Sequence, residues 1–519
     1  MKILILPALL IALTLRLYPA LSSGLPFSTD SWPLIRNTEL LLNNTPIDLG
    51  SCVFDGYNNY WPASSLFGAV FSIITAIKPL EAMALSIPLT GGLAVLVFYV
   101  LVYRLSGDYG ITLASSILFA TAYPHTLFTA GITKETYANP LYILLILIFM
   151  IGNHKGIILF TITSIALALT HHLTPLITLT ILFSLALGFL TARIHGLSIL
   201  KPILVLVVVE ILYFKIYAYR GFKVDLSWSE WISVLAYQVV SLSLASYLTL
   251  HPPSRRSLPI GFTIAPLLLA LILLCMRKPI VPGAPILPSY YISYMNYSIV
   301  TALLAVLGYR RLREVDYKLF ITALYWISAI LGLEGYALFS GSGIGLALLY
   351  RGINFLWPPL TIFTASSLHK HSSKTPRSKY VKAIVASAML YIILLNIYNF
   401  YAATILEERY MGYQWLYRVE EFNTGLWLSN FGYGLTVLGD MKASYMLNSY
   451  FNLYVNVAEG YRYLYRDSVP NGILYVYKQM LRNGYVAGPY GLDLPNNWPI
   501  RIHKLCSIYS NGFVNLFVA

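Results

Sequence analysis

The sequence predicts a polytopic α-helical membrane protein with about thirteen transmembrane helices, followed by a small external α/β domain. Three observations predict this fold class. Mean hydropathy is +0.67 and 57% of the 519 residues are hydrophobic, more than a soluble domain buries. Apolar runs of transmembrane length recur up to residue 401, which defines a predicted membrane domain of residues 1–401. Residues 402–519 mix polar and aromatic segments and are therefore predicted to fold outside the bilayer.

The predicted spans are apolar runs close to the length, about 17–25 residues, that a helix needs to cross a bilayer. In chain order they cover residues 3–22, 84–104, 110–124, 139–153, 156–171, 176–194, 200–219, 230–249, 258–276, 290–309, 318–339, 353–368 and 382–401. The first run resembles a signal peptide. We interpret it as a retained span, because Arg16 interrupts the apolar run.

The apolar run 64–80 is predicted not to cross the membrane. Lys78 and Glu81 flank it, and its length is at the short end for a span. If this run crossed the membrane, every later basic loop would lie on the opposite side of the bilayer. We therefore predict an amphipathic helix at the membrane interface, within a first external loop of residues 23–83.

The net charge of +14 arises mostly from short Lys and Arg clusters between the apolar runs. Nearly all of these clusters, including a loop over residues 369–379, share one side of the membrane if the amino terminus is cytoplasmic. We therefore predict a multi-pass plasma-membrane protein with a cytoplasmic amino terminus and an external C-terminal domain. No basic stripe lies on a polar domain, so nucleic acid is not a predicted partner.

The external domain is predicted to contain a helix over Glu420–Leu428, a strand over Leu435–Asp440 and another strand over Gly472–Tyr477. Two of the three cysteines, Cys52 and Cys506, fall on the predicted external side. They form either a disulfide or two separate thiols, because sequence alone does not give the distance between them.

The first external loop concentrates polar residues in an otherwise apolar chain. One segment, FSTDSWPLIR, ends at Arg36, and in it Asp30 precedes a predicted short helix over Pro33–Leu42. A second cluster of acids and aromatics, FDGYNNYWP, includes Asp55 as a secondary candidate site residue. Asp30 either caps the short helix or serves as a functional carboxylate.

The run DSWPLIR, from Asp30 to Arg36, resembles the Asp-x-aromatic-x-x-x-Arg signature in the first external loop of oligosaccharyltransferase catalytic subunits. Those subunits belong to the GT-C superfamily of membrane glycosyltransferases. Tyr60-Trp61-Pro62 also resembles the end of that loop. The predicted topology, about thirteen spans with an external tail, is likewise similar to that family. The resemblance implies a GT-C-like fold and a donor sugar linked to a polyprenyl phosphate.

In the resembled family the matching Asp binds a metal and activates the acceptor, which implies a catalytic role for Asp30. The family also has an acidic metal-binding motif in its second external loop; here that loop, residues 125–138, offers Lys134 and Glu135. One interpretation is a catalytic Glu135 that holds a divalent metal, Mg²⁺ or Mn²⁺, together with Asp30. The alternatives are direct phosphate binding by Lys134, oriented by Glu135, or an ordinary surface ion pair.

Other ionisable residues on the predicted external side are candidates for the same site. Arg351 begins a span after a glycine-rich loop, and its planar guanidinium suits phosphate binding. GT-C relatives place an arginine at a similar position. Arg36 is a second phosphate-binding candidate, with pairing to Glu39 as the alternative. His171 and His172 close a span at this side, where a site role and an ordinary interfacial position are equally consistent with the sequence.

One departure from the resembled family concerns the acceptor. Oligosaccharyltransferases carry a Trp-Trp-Asp-Tyr-Gly motif that recognises the acceptor sequence. The corresponding region here, LGDMKASY, retains Asp440 and lacks the tryptophans. This departure favours a sugar or lipid hydroxyl over a protein side chain as the acceptor.

Together these features predict an inverting glycosyltransferase that moves a sugar from a polyprenyl-phosphate-linked donor to a glycan, lipid or protein acceptor on the external face of the bilayer. The alternatives are a true oligosaccharyltransferase that glycosylates protein, a lipid or sugar transporter or flippase, and a non-catalytic structural protein. Transport would favour charged residues at mid-membrane. This chain instead concentrates its candidate acids and arginines at one interface.

Overall fold

The computed structural model describes residues 5–44, 46, 48, 53–54, 56–152, 154–221, 227–251, 262–342, 344–368, 376–432, 434–466 and 471–518. The chain divides into two compact units, each built from segments that are distant in sequence. The helical unit comprises Met1–Arg16, Leu89–Thr129 and Lys134–Phe400. The mixed unit comprises Leu17–Pro88, Ala130–Thr133 and Tyr401–Ala519. Residues 23–83 thus fold with the C-terminal segment, an association that the sequence analysis does not predict.

Most of the chain up to residue 404 is α-helical. Its helices are α1 (Leu6–Ser23), α2 (Ser31–Asn43), α3 (Ala63–Thr75), α4 (Pro79–Ser106), α5 (Tyr109–Thr121), α6 (Tyr123–Ala130), α7 (Lys134–Ile151), α8 (His154–Thr170), α9 (Leu173–Thr191), α10 (Leu200–Ile216), α11 (Trp228–Leu250), α12 (Ile264–Cys275), α13 (Ile292–Met295), α14 (Tyr297–Val315), α15 (Tyr317–Phe339), α16 (Gly345–Ser366) and α17 (Pro376–Thr404).

Within the described residues, nine helical segments are long and apolar enough to cross a membrane. They contain α1, α4, α7, α9, α10, α11, α14, α15 and α17. Helices α5 and α6 form a tenth candidate that is bent by 59° at a break. Shorter apolar helices occupy Ala63–Thr75, Gly156–Thr170 and Ile264–Cys275. The predicted polytopic helical fold is confirmed, whereas the number of about thirteen spans stays a prediction.

The apolar run 64–80 forms α3, which ends at Thr75 because Ala76 takes a left-handed conformation with φ of 56°. A helix of 13 residues measures about 20 Å, less than the roughly 30 Å of a hydrocarbon core. The length therefore agrees with the predicted interfacial position, and the orientation of α3 to the bilayer stays a prediction.

The core of the helical unit is built around α15, in which Tyr325 and Trp326 are fully buried. Helix α15 packs against α9, α11 and α16. Helix α14 approaches α16 so closely that a Cβ atom on Gly308 would lie 1.7 Å from the carbonyl oxygen of Phe363. Lipid supplies little hydrophobic drive for helix association, so close contacts at small residues contribute much of the stability.

The C-terminal segment contains five helices and seven strands. The helices are α18 (Val419–Phe431), α19 (Met441–Ser449), α20 (Val457–Tyr465), α21 (Lys478–Asn483) and α22 (Trp498–Ile502). The strands are β1 (Val437–Leu438), β2 (Val455–Asn456), β3 (Ile473–Tyr477), β4 (Tyr485–Ala487), β5 (Gly491–Asp493), β6 (Cys506–Ser510) and β7 (Val514–Val518). These counts refer to the described part of the segment.

Five of these strands form a mixed sheet in the order β2-β1-β3-β7-β6. Strand β1 is parallel to β2 and β3, whereas β7 is antiparallel to β3 and β6. All of β3 is buried, as expected for a central strand. The predicted small α/β domain is confirmed, and so are its helix over Glu420–Leu428 and its strand over Gly472–Tyr477. The strand predicted over Leu435–Asp440 is limited to Val437–Leu438.

Three predicted features fall outside the described residues. They are Asp55, Cys52 and the loop residues 369–375. The disulfide between Cys52 and Cys506, a site role for Asp55 and the cytoplasmic position of that loop therefore stay predictions.

A buried ion pair lies inside the mixed unit. The Nζ atom of Lys442 is 2.8 Å from Oε1 of Glu421, and both side chains are only 1% exposed. The backbone N–H of Arg418 donates to Oε2 of Glu421, and the Lys442 ammonium lies over the rings of Tyr417 and Tyr477. Burial raises the pKa of Glu421, while Lys442 opposes that change. The two charges therefore depend on each other inside the core.

Replacing Lys442 with Met should destabilise the protein by about 3–5 kcal/mol, because it leaves the Glu421 carboxylate buried without its countercharge. Thermal unfolding of the full chain in detergent measures the effect. The double variant Glu421→Gln with Lys442→Met removes both charges and should recover most of the loss. Because burial raises the pKa of Glu421, the deficit of the single variant should shrink as the pH falls, since protonation removes the uncompensated charge. A single variant as stable as the wild type at every pH would contradict this account.

Candidate functional site

The loop before α2 presents Asp30 at the surface of the mixed unit. Ser28 has a positive φ of 90°, and its backbone N–H donates to the carbonyl of Trp415 at 2.8 Å. The backbone N–H of Asp30 donates to Ser28 Oγ at 3.3 Å, while Ser31 Oγ donates to the carbonyl of Phe27 at 2.6 Å. Residues 25–29 are buried and Asp30 is exposed. The backbone around this carboxylate is therefore fixed by local hydrogen bonds.

Asp30 occupies the N-cap position of α2, but its side chain makes no capping hydrogen bond with that helix. The capping interpretation of Asp30 is thus not supported, and the functional interpretation stays a prediction. The predicted helix over Pro33–Leu42 is confirmed, since α2 covers it with one to two residues more at each end.

The aromatic residue of the signature, Trp32, anchors α2 in the mixed unit. Trp32 is fully buried, and its ring centroid lies 5.0 Å from that of Tyr417, 6.0 Å from Phe422 and 5.6 Å from Tyr450. A further backbone hydrogen bond, from Ile132 N–H to the carbonyl of Phe27 at 3.1 Å, joins the Asp30 loop to the segment before α7. The local sequence identifies Trp32 as part of a motif but does not predict this packing role.

Arg36 and Glu39 both contact the end of α19. The Nη1 atom of Arg36 donates to the carbonyl of Ser449 at 3.4 Å, and the hydroxyl of Tyr450 donates to Glu39 Oε1 at 2.8 Å. These contacts hold α2 against the C-terminal segment. These contacts do not test whether Arg36 binds a donor phosphate, which stays a prediction.

The second group of candidates lies in the helical unit, where Lys134 and Glu135 occupy the first turn of α7 and are buried. This differs from the sequence analysis, which places them in an external loop over residues 125–138. That loop is replaced by α6 and the start of α7. The polar residues of the segment suggest a loop, but an acid in the first turn suits the positive end of the helix dipole.

Glu135 is held by two residues of α16. The Nδ2 atom of Asn354 donates to Oε1 of Glu135 at 3.3 Å, and Nε of Arg351 lies 3.8 Å from Oε2. Asn354 is buried and Arg351 is about one-fifth exposed. Arg351 is predicted to begin a span, whereas α16 begins six residues earlier, at Gly345. The predicted candidates also do not include Asn354, whose spacing of three from Arg351 puts both side chains on one face of the helix.

His171 and His172 connect α8 to α9 and belong to the same neighbourhood. The positive charges of Lys134 and Arg351 interact with both imidazoles. The backbone N–H of Thr174 donates to Nδ1 of His171 at 3.2 Å, so this nitrogen is an acceptor for the first turn of α9, whose N-cap residue is His172. The two rings lie 4.6 Å apart.

We call these six residues the helix-end cluster: Lys134, Glu135, His171, His172, Arg351 and Asn354. It brings together five of the predicted site residues. Two cations and one carboxylate give the cluster a net positive charge when the imidazoles are neutral. Such a buried cationic group is suited to bind an anion such as a phosphate.

Arg16 of α1 is fully buried and makes hydrogen bonds with residues of α1, α5 and α6. Its Nε donates to Thr129 Oγ1 at 2.8 Å, and its Nη1 donates to the carbonyls of Ala12 and Ala120 at 3.1 and 3.3 Å. Its Nη2 lies 2.9 Å from Nδ1 of His125. Arg16 therefore lies inside the helical bundle, where hydrogen bonds replace water.

The hydrogen bonds of Arg16 continue to α7. Because arginine can only donate, Nδ1 of His125 is the acceptor, and Nε2 of His125 donates to Oδ1 of Asn139 at 3.2 Å. The Nδ2 atom of Asn139 donates to the backbone carbonyl of Glu135 at 3.0 Å. This chain of contacts fixes the first turn of α7, and with it Glu135, relative to α1 and the bend between α5 and α6.

The surroundings of Asp30 and Glu135 can be compared with what the predicted Mg²⁺ or Mn²⁺ would need. Within the part of the chain that the structure describes, no three His, Cys, Asp or Glu side chains converge on a possible metal position. In the helical unit, Glu135 already faces Asn354 and Arg351. The described residues therefore do not fit a metal centre built on Glu135. Metal binding by Asp30 and Glu135 together is implied only by the family resemblance and stays a prediction.

Asp440, the residue retained from the acceptor motif, has a structural role. Its Oδ1 accepts from the backbone N–H of Ala443 at 2.9 Å, which caps α19, and its Oδ2 accepts from Ala487 N–H at 2.9 Å and from the hydroxyl of Tyr477. Asp440 is fully buried, and burial raises its pKa while these three hydrogen bonds oppose the change. Both oxygens are therefore used inside the fold.

Among known proteins, the chain is similar to several solved structures. No family model and no curated protein matches the chain. The Archaeoglobus fulgidus oligosaccharyltransferase in the apo form superposes with a TM-score of 0.56 at 14% identity, covering 92% of this chain and 69% of that chain. The Archaeoglobus fulgidus oligosaccharyltransferase AglB in complex with an inhibitory peptide and a dolichol-phosphate gives 0.52 at 13%, with the same coverage. A complex of the Archaeoglobus fulgidus protein with Zn and sulfate gives 0.50 at 12%, covering 99% and 73%.

These superpositions establish the fold. The chain shares the fold of the Archaeoglobus fulgidus oligosaccharyltransferase, in agreement with the resemblance of its first loop. At these identities the similarity concerns the path of the chain and does not extend to individual residues.

Replacing Arg16 with Lys should lower the stability by about 1–3 kcal/mol, because an ammonium cannot satisfy Thr129, His125 and both carbonyls at once. Thermal unfolding of the purified full chain measures this loss. The control is Arg310→Lys, since Arg310 makes only a half-exposed pair with Glu314 on its own helix and should change the stability by less than about 0.5 kcal/mol. Equal melting temperatures for both variants would contradict the proposed network.

Proposed function

We propose that the chain is an inverting glycosyltransferase that moves a sugar from a polyprenyl-phosphate-linked donor to a hydroxyl acceptor at the external face of the membrane. The observation that carries this proposal is the helix-end cluster, in which Lys134 and Arg351 flank the single carboxylate of Glu135. Two cations beside one carboxylate leave a net positive charge that attracts an anion, and a polyprenyl phosphate supplies an anion at the membrane surface. The GT-C fold supports the same class of reaction.

In the proposed reaction the acceptor oxygen forms a bond to the anomeric carbon while the bond from that carbon to the donor phosphate breaks. The electron pair of the broken bond goes to the phosphate, and the proton of the acceptor goes to a general base. A single displacement of this kind inverts the anomeric configuration. Asp30 is the proposed base, because it is an exposed carboxylate on a loop fixed by local hydrogen bonds.

Lys134 and Arg351 are proposed to stabilise the negative charge on the departing phosphate. Glu135 is assigned a positioning role: its contacts with Asn354 and Arg351 hold the guanidinium in place and prevent the two cations from repelling each other across a buried space. No step of this proposal passes through a metal ion.

A hydroxyl acceptor is preferred over an asparagine side chain for two reasons. The sequence lacks the tryptophans of the acceptor motif. Both carboxylate oxygens of the retained Asp440 accept hydrogen bonds inside the fold, from Ala443, Ala487 and Tyr477. Protein glycosylation by a different acceptor pocket is the alternative that the fold similarity favours. The Archaeoglobus fulgidus neighbour was solved with a dolichol-phosphate, which supports a polyprenyl-phosphate-linked donor for this chain in either case.

Asp30→Asn should reduce sugar transfer by about 10²–10⁴-fold, because an amide cannot accept the proton of the acceptor. Because Asp30 is exposed and an amide keeps the size of its side chain, the variant should keep its stability to within about 0.5 kcal/mol. The assay supplies a panel of labelled polyprenyl-phosphate sugars to purified protein and follows transfer of the label. Glu420→Gln is the control, because Glu420 is an exposed acid of the same unit. Transfer at the wild-type rate by Asp30→Asn would exclude Asp30 as the base.

Arg351→Ala should weaken use of the donor by about 10–100-fold, the value of a hydrogen bond to a charged group. Arg351→Lys should recover only part of this loss, because an ammonium cannot reproduce the planar guanidinium. The measurement is kcat/KM for the donor that the panel identifies, with Arg310→Ala as the exposed control. The proposal for Arg351 fails if donor use is unchanged in both variants.

A further inference from the structure

A cavity of about 520 Å³ lies at the end of the helical unit opposite to the helix-end cluster. It is lined by the C-terminal ends of α7 and α9, the N-terminal ends of α8, α10 and α15, and the turn between α9 and α10. Since Lys134 and Glu135 begin α7 and this cavity lies where α7 ends, the length of one span separates the two sites. The cavity is therefore distinct from the proposed catalytic site.

The inner wall of this cavity is apolar. It includes the rings of Phe149, Phe160 and Phe189, which are 5%, 1% and 0% exposed and so belong to the helical core. A volume of this size lies in the range, roughly 300–1,000 Å³, of pockets that hold organic ligands. Such a wall is suited to hydrocarbon.

The mouth of the cavity is positively charged. Lys201, Lys318 and His195 line it together with Ser198, and none of the described lining residues is acidic. Burial and the positive charge of Lys318 lower the pKa of His195. The nearest acid to Lys318 along the chain, Asp316, is not among the lining residues and caps α15 by accepting from Leu319 N–H.

The positions of the two lysines strengthen the case for an anion. Lys201 is in the first turn of α10 and Lys318 is in the first turn of α15. The N-terminus of a helix carries a partial positive charge, so a lysine there is unfavourable by itself. Two such lysines at one cavity mouth would be stabilised by a negatively charged ligand. A soluble anion would satisfy these charges but would leave the aromatic wall without a partner.

We propose that this cavity is a binding site for an anionic phospholipid, with the headgroup phosphate between Lys201 and Lys318 and part of an acyl chain against the aromatic wall. Basic pockets between transmembrane helices suit anionic headgroups, and the combination of an apolar wall with a cationic mouth matches the two parts of such a lipid. The proposal does not depend on the proposed glycosyl transfer, because it concerns the other end of α7.

The test measures lipid binding to the purified full chain in detergent by native mass spectrometry. The probes are phosphatidylglycerol, phosphatidylcholine and inorganic phosphate, the last as a competitor. The wild type should retain phosphatidylglycerol in preference to phosphatidylcholine, and inorganic phosphate should compete only weakly. The double variant Lys201→Gln with Lys318→Gln should bind phosphatidylglycerol about thirtyfold more weakly, since each lysine near an anionic lipid surface contributes a factor of about five.

Two matched controls separate this site from general attraction between charges. Lys215→Gln changes the same charge in the last turn of the same helix, α10, and should leave binding unchanged. Arg310→Gln removes an exposed charge outside the cavity and should also leave it unchanged. A loss in either control as large as in the double variant would overturn the proposal.

A further variant tests the shape of the cavity without changing its charge. Ser198 is exposed in the short 3-10 helix Leu197–Ile199 and lines the mouth, so Ser198→Trp should fill the entrance while the protein still folds. It should reduce phosphatidylglycerol binding at least tenfold. Unchanged binding in Ser198→Trp would overturn the proposal, and so would full competition by inorganic phosphate, which would assign the site to a free anion.

Discussion

The structure of the mixed unit depends on the burial of Trp32 among Tyr417, Phe422 and Tyr450. This contact joins the helix that follows Asp30 to a segment nearly four hundred residues later in the chain. Burying an aromatic side chain of this size contributes about 3 kcal/mol, and the aromatic pairs add to it. A proposed catalytic carboxylate on a loop is thus fixed by a packing contact two residues away and not by a cap on its own side chain.

In the helical unit, the helix-end cluster places charged groups where little water reaches them. Glu135 balances Arg351, Asn354 satisfies one carboxylate oxygen, and Asn139 connects the backbone of Glu135 to His125 and Arg16. Arg16, Glu135 and Arg351 thus have hydrogen bonds or a countercharge, as low dielectric surroundings require. Polar residues that look isolated along the sequence therefore form one continuous network across α1, α6, α7 and α16.

The sequence predicts what depends on local pattern and misses what depends on distant contacts. Hydropathy predicts the helical membrane fold, and periodicity predicts α18 and β3. Charged residues next to apolar runs identify Asp30, Lys134, Glu135 and Arg351 as candidates. The start of α7 is missed because its first turn is polar, and polar residues in a buried helix become recognisable only when Asn354 and Arg351 lie beside them. The structural use of Asp440 is hidden for the same reason, since its partner Ala487 belongs to strand β4, 47 residues later in the chain.

The mixed unit also sets an order for biosynthesis. Residues 17–78 are synthesised before all of the described membrane helices except α1, whereas the residues after 404 that complete their core are synthesised after α17. Trp32 and Leu25 thus lack most of their apolar partners until translation has passed the membrane helices. A ribosome that stops within the membrane helices would release a chain with this surface exposed, and chains of that kind are recognised by chaperones and proteases. The dispersed core therefore makes the folding of the Asp30 loop dependent on synthesis of the helices and strands that follow the membrane helices.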